Sequence, residues 1–213
     1  MALSERMKVA TKSKNLSMSV FTGHFSTGRS HSNYFIDITS QKSGLAEAKA
    51  VAASLAGEYK SSTLIDTVLC LDDTQVIATC LAEELVRNDY ASINSNNSIN
   101  ILTPEQTAAS QLLFRDNTAP MIRNKRVLIL AATVVTGFTA KSAIDAVNYY
   151  GGQVAGIACI YSTVTECMGI PVKSAFNIND LPDYRSYSSF ECPMCKAGQK
   201  IDALVNNYGI SEL

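Results

Sequence analysis

Threonines gathered around one glycine make the segment best suited to hold an anion: Thr133, Val135, Thr136, Gly137, Phe138 and Thr139. Hydroxyls and backbone N–H groups at the entrance of a helix suit a phosphate. The helix dipole and the unpaired first-turn amides both favour negative charge there. The plainer alternative is that Thr139 only caps a helix and Gly137 only turns the chain. A second group is Asp72-Asp73-Thr74. Its carboxylates can meet a divalent cation, but adjacent side chains commonly point apart, and capping the helix that follows is the simpler role. Cys192-Pro193-Met194-Cys195 has the spacing of half a zinc knuckle. A closed zinc site wants four ligands; no second such pair is present, and Cys159 and Cys167 complete one only if the fold brings them close. A tight reduced turn is the preferred reading over zinc at this position, and no metal is expected. His24 and His31 are the only histidines, and neither has a metal partner at ligand spacing.

These groups need elements to position them. Val127 to Leu130 is a four-residue aliphatic run, which suits a strand buried on both faces. Ala140, Ala143, Ile144 and Val147 recur at helical spacing, Gly151-Gly152 stops that helix, and Val154 to Tyr161 is a second apolar run. Strand, loop, helix and strand in that order predict a parallel pair with the threonine loop at the carboxyl end of the first strand. Ligands of open α/β sheets bind at such ends. Gly44 to Tyr59 predicts a helix, Thr63 to Leu71 a strand, Gln75 to Arg87 a helix, and Ile99 to Leu102 a short strand. Val20 to Ser40 flanks a Ser-Thr-Gly-Arg turn with apolar and aromatic residues, which predicts a β-ribbon. Helices are expected near Leu3 to Lys12 and over Ile201 to Tyr208, and Val172 to Phe176 as a strand.

Two of these stretches resemble a known family. Val127 to Leu130 followed by Thr136, Gly137 and Thr139 resembles the phosphoribosyl-diphosphate (PRPP) motif of the type I phosphoribosyltransferases. Phe25, Thr27-Gly28-Arg29, Ser32, Tyr34-Phe35 and Asp37 resemble the N-terminal hood of orotate phosphoribosyltransferases, and a similar Cys-Pro-x-Cys-Lys tail occurs in relatives of those enzymes. The resemblance implies an α/β fold: a mostly parallel sheet flanked by helices, with a small β hood and a Cys-x-x-Cys tail. It implies a helix and hood over residues 1–43, a core over 44–176 and an extension over 177–213. It also implies a base-binding hood at Arg29, Tyr34 and Phe35, a pyrophosphate loop at Asp72, Asp73 and Thr74, Mg²⁺ accompanying PRPP, and a homodimer. The implied reaction joins orotate and PRPP to give orotidine 5′-phosphate and pyrophosphate. Four departures point to the alternative, a degenerate member that binds or senses a nucleotide. Ala131 and Ala132 replace the acidic pair, and Phe138 replaces a customary glycine. Two aspartates, which repel pyrophosphate, occupy its loop. Between Thr103 and Asn124 the basic residues are Arg115 and Arg123, with no histidine.

Composition sets the outer limits. The chain has 213 residues, 18 basic against 19 acidic, and a formal net charge of −1. That balance gives no electrostatic case for nucleic acid or an anionic membrane. No apolar run approaches the roughly 20 residues that span a bilayer. The polar N-terminus lacks an apolar secretory core, so a cytoplasmic protein with a small-molecule ligand and reduced cysteines is expected.

Overall fold

The computed structural model describes residues 6–10, 16–28, 30–107 and 111–213. Strands β1 (Arg6–Ala10), β2 (Ser17–Ser26) and β3 (Ser30–Asp37) open the chain. Helix α1 (Leu45–Tyr59), β4 (Thr67–Cys70), α2 (Gln75–Val86) and β5 (Asn100–Leu102) follow. Next come β6 (Arg126–Val134), α3 (Phe138–Tyr149), β7 (Gln153–Ser162) and β8 (Ile170–Asn177). The chain ends with β9 (Ser186–Ser188), the one-turn α4 (Pro193–Lys196), β10 (Ala203–Asn206) and β11 (Gly209–Glu212). Two compact units result: residues 41–177, and residues 1–40 together with 178–213.

The unit of residues 41–177 is built on a sheet of order β8-β7-β6-β4-β5, parallel throughout, with the two-residue strand Glu166–Cys167 antiparallel at the β8 edge. Side chains alternate along β6. Val127, Ile129 and Ala131 join a core with Ala140, Ala143, Ile144 and Val147 of α3. Leu128 and Leu130 are equally buried and point to the opposite face. Covering both faces is why β6 reads as an unbroken aliphatic run. On that second face α1 packs against α2, and the Tyr59 hydroxyl donates to the Ile157 carbonyl of β7 at 2.7 Å. Gly156 leaves room for this ring: a Cβ there would stand 2.8 Å from the Tyr59 ring. Tyr59→Phe keeps the packing and loses one buried hydrogen bond, so urea denaturation should read a loss of about 1 kcal/mol. A loss near zero would mean that the hydroxyl bond contributes nothing.

In the other unit, β2 pairs with β3 antiparallel and with β10 in parallel, β3 pairs with β9, and β10 with β11. Two sequence expectations fail here. The described part of the expected N-terminal helix, Arg6–Ala10, is a strand on the edge of β2. A helix of some ten residues is marginal without a packed face, whereas β2 offers a ready hydrogen-bond ladder. The expected helix over Ile201–Tyr208 is instead the β10–β11 hairpin. The Asn206 carboxamide oxygen accepts from the amides of Tyr208 and Gly209, and this side-chain turn reverses the chain. The chain after residue 177 therefore folds with the ribbon.

Candidate functional site

Chain direction changes sides in the sheet between β4 and β6. From β4 the chain moves outward to β5; from β6 it moves the other way, to β7 and β8. A crevice opens at the carboxyl ends of two such neighbouring strands. Both loops singled out from the sequence, 72–74 and 135–139, follow those two ends.

The 135–139 loop is braced from below. The Ser162 hydroxyl donates to the Val134 carbonyl at 2.9 Å, and Thr163 donates to Val134 through its amide and to Val135 through its hydroxyl. Gly137 has φ of 73°, a left-handed conformation that glycine adopts freely. It is the residue preceding α3, its carbonyl accepts the Lys141 amide at 2.8 Å, and no side chain caps the helix. Thr139 thus does not serve as the cap that the plainer sequence reading gave it. Thr136, Phe138 and Thr139 are exposed, while Thr133, Val135 and Gly137 are half-buried. Phe138 is 48% exposed, so its ring does not plug the turn.

The 72–74 loop is unusual in its backbone. Asp72 and Asp73 have φ of 54° and 61°. Two consecutive non-glycine residues in the left-handed region cost on the order of 1–3 kcal/mol each, and such strain clusters at ligand sites. Neither carboxylate caps α2. The Thr74 hydroxyl turns back to the carbonyls of Leu71 and Leu130, at 2.8 and 3.1 Å. The Asp72 carboxylate accepts the Ala132 amide at 3.2 Å. Ala131 and Ala132 are themselves buried. A carboxylate from the end of β4 therefore stands beside Ala132 of β6. Burial pushes the Asp72 carboxyl above its ordinary range, partly offset by the Ala132 amide and Lys42. Lys42, which no sequence motif singles out, donates to the Asp72 carbonyl at 3.1 Å and lies 4.0 Å from the Asp73 carboxylate.

The expected hood residues lie on the ribbon. Tyr34 and Phe35 are half-buried on β3, and Phe35 lies against Phe21 and Phe25 with ring centroids 6.1 Å apart in each case. Arg29 lies outside the described residues. Arg115, between β5 and β6, is engaged by Glu105 through two bonds of 2.6 Å. The cysteine pair has partners that spacing did not reveal. Cys192 and Cys195 lie 3.5 and 3.6 Å from the His24 ring, and Cys195 lies 3.2 Å from His31. Cys159 and Cys167 take no part in this group.

Over 78 residues the chain is 32% identical to the orotate phosphoribosyltransferase of Caldanaerobacter subterraneus subsp. tengcongensis, a match covering 36% of this chain and 39% of that protein. With the orotate phosphoribosyltransferase of Mycobacterium avium it shares 36% identity over 66 residues, covering 28% and 37%. The matches thus span under two-fifths of these relatives' lengths. No family model matches the chain. The crystal structure of Mycobacterium tuberculosis orotate phosphoribosyltransferase in complex with inorganic phosphate superimposes with a TM-score of 0.50 at 21% identity, over 70% of this chain and 81% of that one. The fold is that of the type I phosphoribosyltransferases. Among the described residues no helix is long and apolar enough to cross a membrane.

Proposed function

We propose that this chain binds a 5-phosphoribosyl ligand at the crevice between β4 and β6, as an orotate phosphoribosyltransferase-like protein. The observation that carries the reading is the uncapped start of α3, with Gly137 in the left-handed conformation, at the carboxyl end of β6. The first-turn amides and the hydroxyls of Thr136 and Thr139 would take the 5′-phosphate. The ribose and leaving group would extend toward Asp72, Asp73 and Lys42. If the reaction is orotate transfer, the orotate nitrogen bonds to C1′ of PRPP, the C1′–oxygen bond breaks, and pyrophosphate leaves while the nitrogen's proton passes to solvent. The positive charge of Lys42 would favour the departing pyrophosphate. Mg²⁺ prefers oxygen ligands and keeps several waters; it would come with PRPP, with exposed Asp73 as the protein's carboxylate beside it.

A second reading is a binder without turnover, and the burial of Ala131 and Ala132 favours it. Their methyl groups cannot accept the ribose hydroxyls as the family's acids do. Asp72 is one carboxylate where the motif has two, and its oxygen is already engaged by an amide. Calorimetric titration tests the shared claim. Heat is expected with uridine or orotidine 5′-monophosphate and none with the free nucleosides. Equal binding of both would remove the phosphate anchor and the reading with it. Loss of orotate absorbance with PRPP and Mg²⁺ then selects the enzyme; none at high protein concentration selects the binder.

A further inference from the structure

We propose that His24, His31, Cys192 and Cys195 form a closed, four-ligand zinc site that fastens the C-terminal tail to the ribbon. The sequence places the histidines and cysteines some 160 residues apart, but the fold of residues 1–40 and 178–213 brings them together. One ligand atom from each lies within 4.8 Å of all the others. His24 Nε2 is 3.1 Å from His31 Nδ1, 3.5 Å from Cys192 Sγ and 3.6 Å from Cys195 Sγ; Cys195 Sγ is 3.2 Å from His31 Nδ1. Zinc bonds of about 2.0–2.1 Å to nitrogen and 2.3 Å to sulfur, arranged tetrahedrally, set ligand-to-ligand edges of roughly 3.3–3.8 Å. The cluster has close to that size.

Proton bookkeeping decides what the centre holds. His24 Nδ1 faces the carbonyls of Gln199 and Lys200, both at 3.1 Å. Carbonyls only accept, so Nδ1 carries the proton and Nε2 presents a lone pair. That lone pair points at another imidazole nitrogen and two sulfurs, which are also electron-pair donors. A proton on His31 Nδ1 or on a thiol satisfies one pair of these atoms at a time, whereas a single cation at the centre satisfies all four, and an imidazole whose other nitrogen donates to backbone carbonyls has the usual outer support of a zinc ligand. His24 and Cys192 are fully buried and His31 nearly so, while Cys195 is exposed, which gives the ion a way in. Two nitrogens and two thiolates select zinc over magnesium or calcium.

Local structure supports each ligand. The β2–β3 register shifts by one residue between Thr22 and Phe25. This bulge lets neighbouring His24 and Phe25 both be buried, where an unbroken strand would turn one outward. The His24 amide donates to the Asp202 carboxylate at 2.7 Å and its carbonyl accepts the Asp202 amide at 2.8 Å. Cys192 and Cys195 are joined by a compact turn in which the Cys192 carbonyl accepts the Lys196 amide and the Cys195 carbonyl accepts the Gly198 amide, Gly198 having φ of 75°. Ligand-bearing turns of this kind form around structural zinc.

The test uses the full chain purified under reducing conditions without added chelator. Elemental analysis should find one zinc per chain. Cobalt(II) exchanged into the chelated protein should give the visible bands of a tetrahedral ion with sulfur charge-transfer absorption. Chelation should lower the melting temperature, and added zinc should restore it. Cys195→Ser, which changes the exposed ligand, should weaken zinc binding by about tenfold or more and diminish the sulfur band, whereas Cys80→Ser should leave both unchanged. Should a variant fail to fold, the cobalt spectrum of the unaltered chain still decides. Absence of zinc together with no cobalt spectrum overturns the site.

Discussion

Valine at position 137 is expected to weaken binding of a nucleoside 5′-monophosphate at least tenfold and to cost about 1–3 kcal/mol of stability. Two separate effects meet at this residue. Gly137 has φ of 73°, which a β-branched side chain tolerates poorly, and its Cβ would lie 3.2 Å from Cys167 Sγ. Relieving either pressure rotates the peptide that feeds α3, and the first-turn amides move from the mouth of the crevice. Alanine keeps the strain but adds less bulk, so Gly137→Ala should fall between wild type and valine in both measurements. Calorimetric titration reads the affinity and urea denaturation the stability. If stability falls while affinity for the monophosphate is untouched, the phosphate is held elsewhere and the threonine loop is only a turn.

Much of residues 41–177 is legible because its signals are local. The aliphatic run of β6, the helical stripe on α3 and the stop at Gly151 lie close together in sequence, and β6, α3 and β7 form where these predict. β6 runs four residues further than the aliphatic stretch, since Ala131 to Val134 also pair with β7, with a shift at Val127/Leu128. The 72–74 loop is less legible. Aspartates before a helix signal capping, and only the fold discloses that Asp72 turns to the Ala132 amide across the sheet. The histidine and cysteine cluster lies at the far end of this scale. Its halves, His24 with His31 and Cys192 with Cys195, each look incomplete alone, and the bulge that aims His24 inward is a property of strand pairing. A reader could have paired them by noting that two histidines and a Cys-x-x-Cys make four nitrogen and sulfur donors. The C-terminal hairpin is not legible in the sequence because Val205 and Leu204 fit either period, and the turn at Asn206 to Gly209 outweighs helix propensity.

Asp66→Asn is expected to lower stability at neutral pH by about 1–2 kcal/mol, and most of that difference should be lost as pH falls to about 2. Asp66 stands just before β4 and Arg126 opens β6. The carboxylate takes three bonds of 2.8 Å, from the Arg126 amide, Nε and one terminal nitrogen. Main-chain bonds continue the clamp: the Asp66 amide donates to the Arg126 carbonyl and the Asp66 carbonyl accepts the Asn100 amide, so three neighbouring strands start in register. The guanidinium bond holds the Asp66 carboxyl down at about 2, against burial, which acts in the opposite direction. A depressed carboxylate pKa means that the unfolded chain takes up a proton first. The stabilisation is therefore complete above pH ~4 and drains away as pH falls toward 2. A shift of nearly two units corresponds to roughly 2–2.5 kcal/mol, and the 39% exposure of the Arg126 side chain screens part of it. Urea denaturation of both proteins at pH 7 and pH 2 measures this directly. A gap that persists unchanged into acid would mean that asparagine disturbs the strand starts sterically and that the ion pair contributes little.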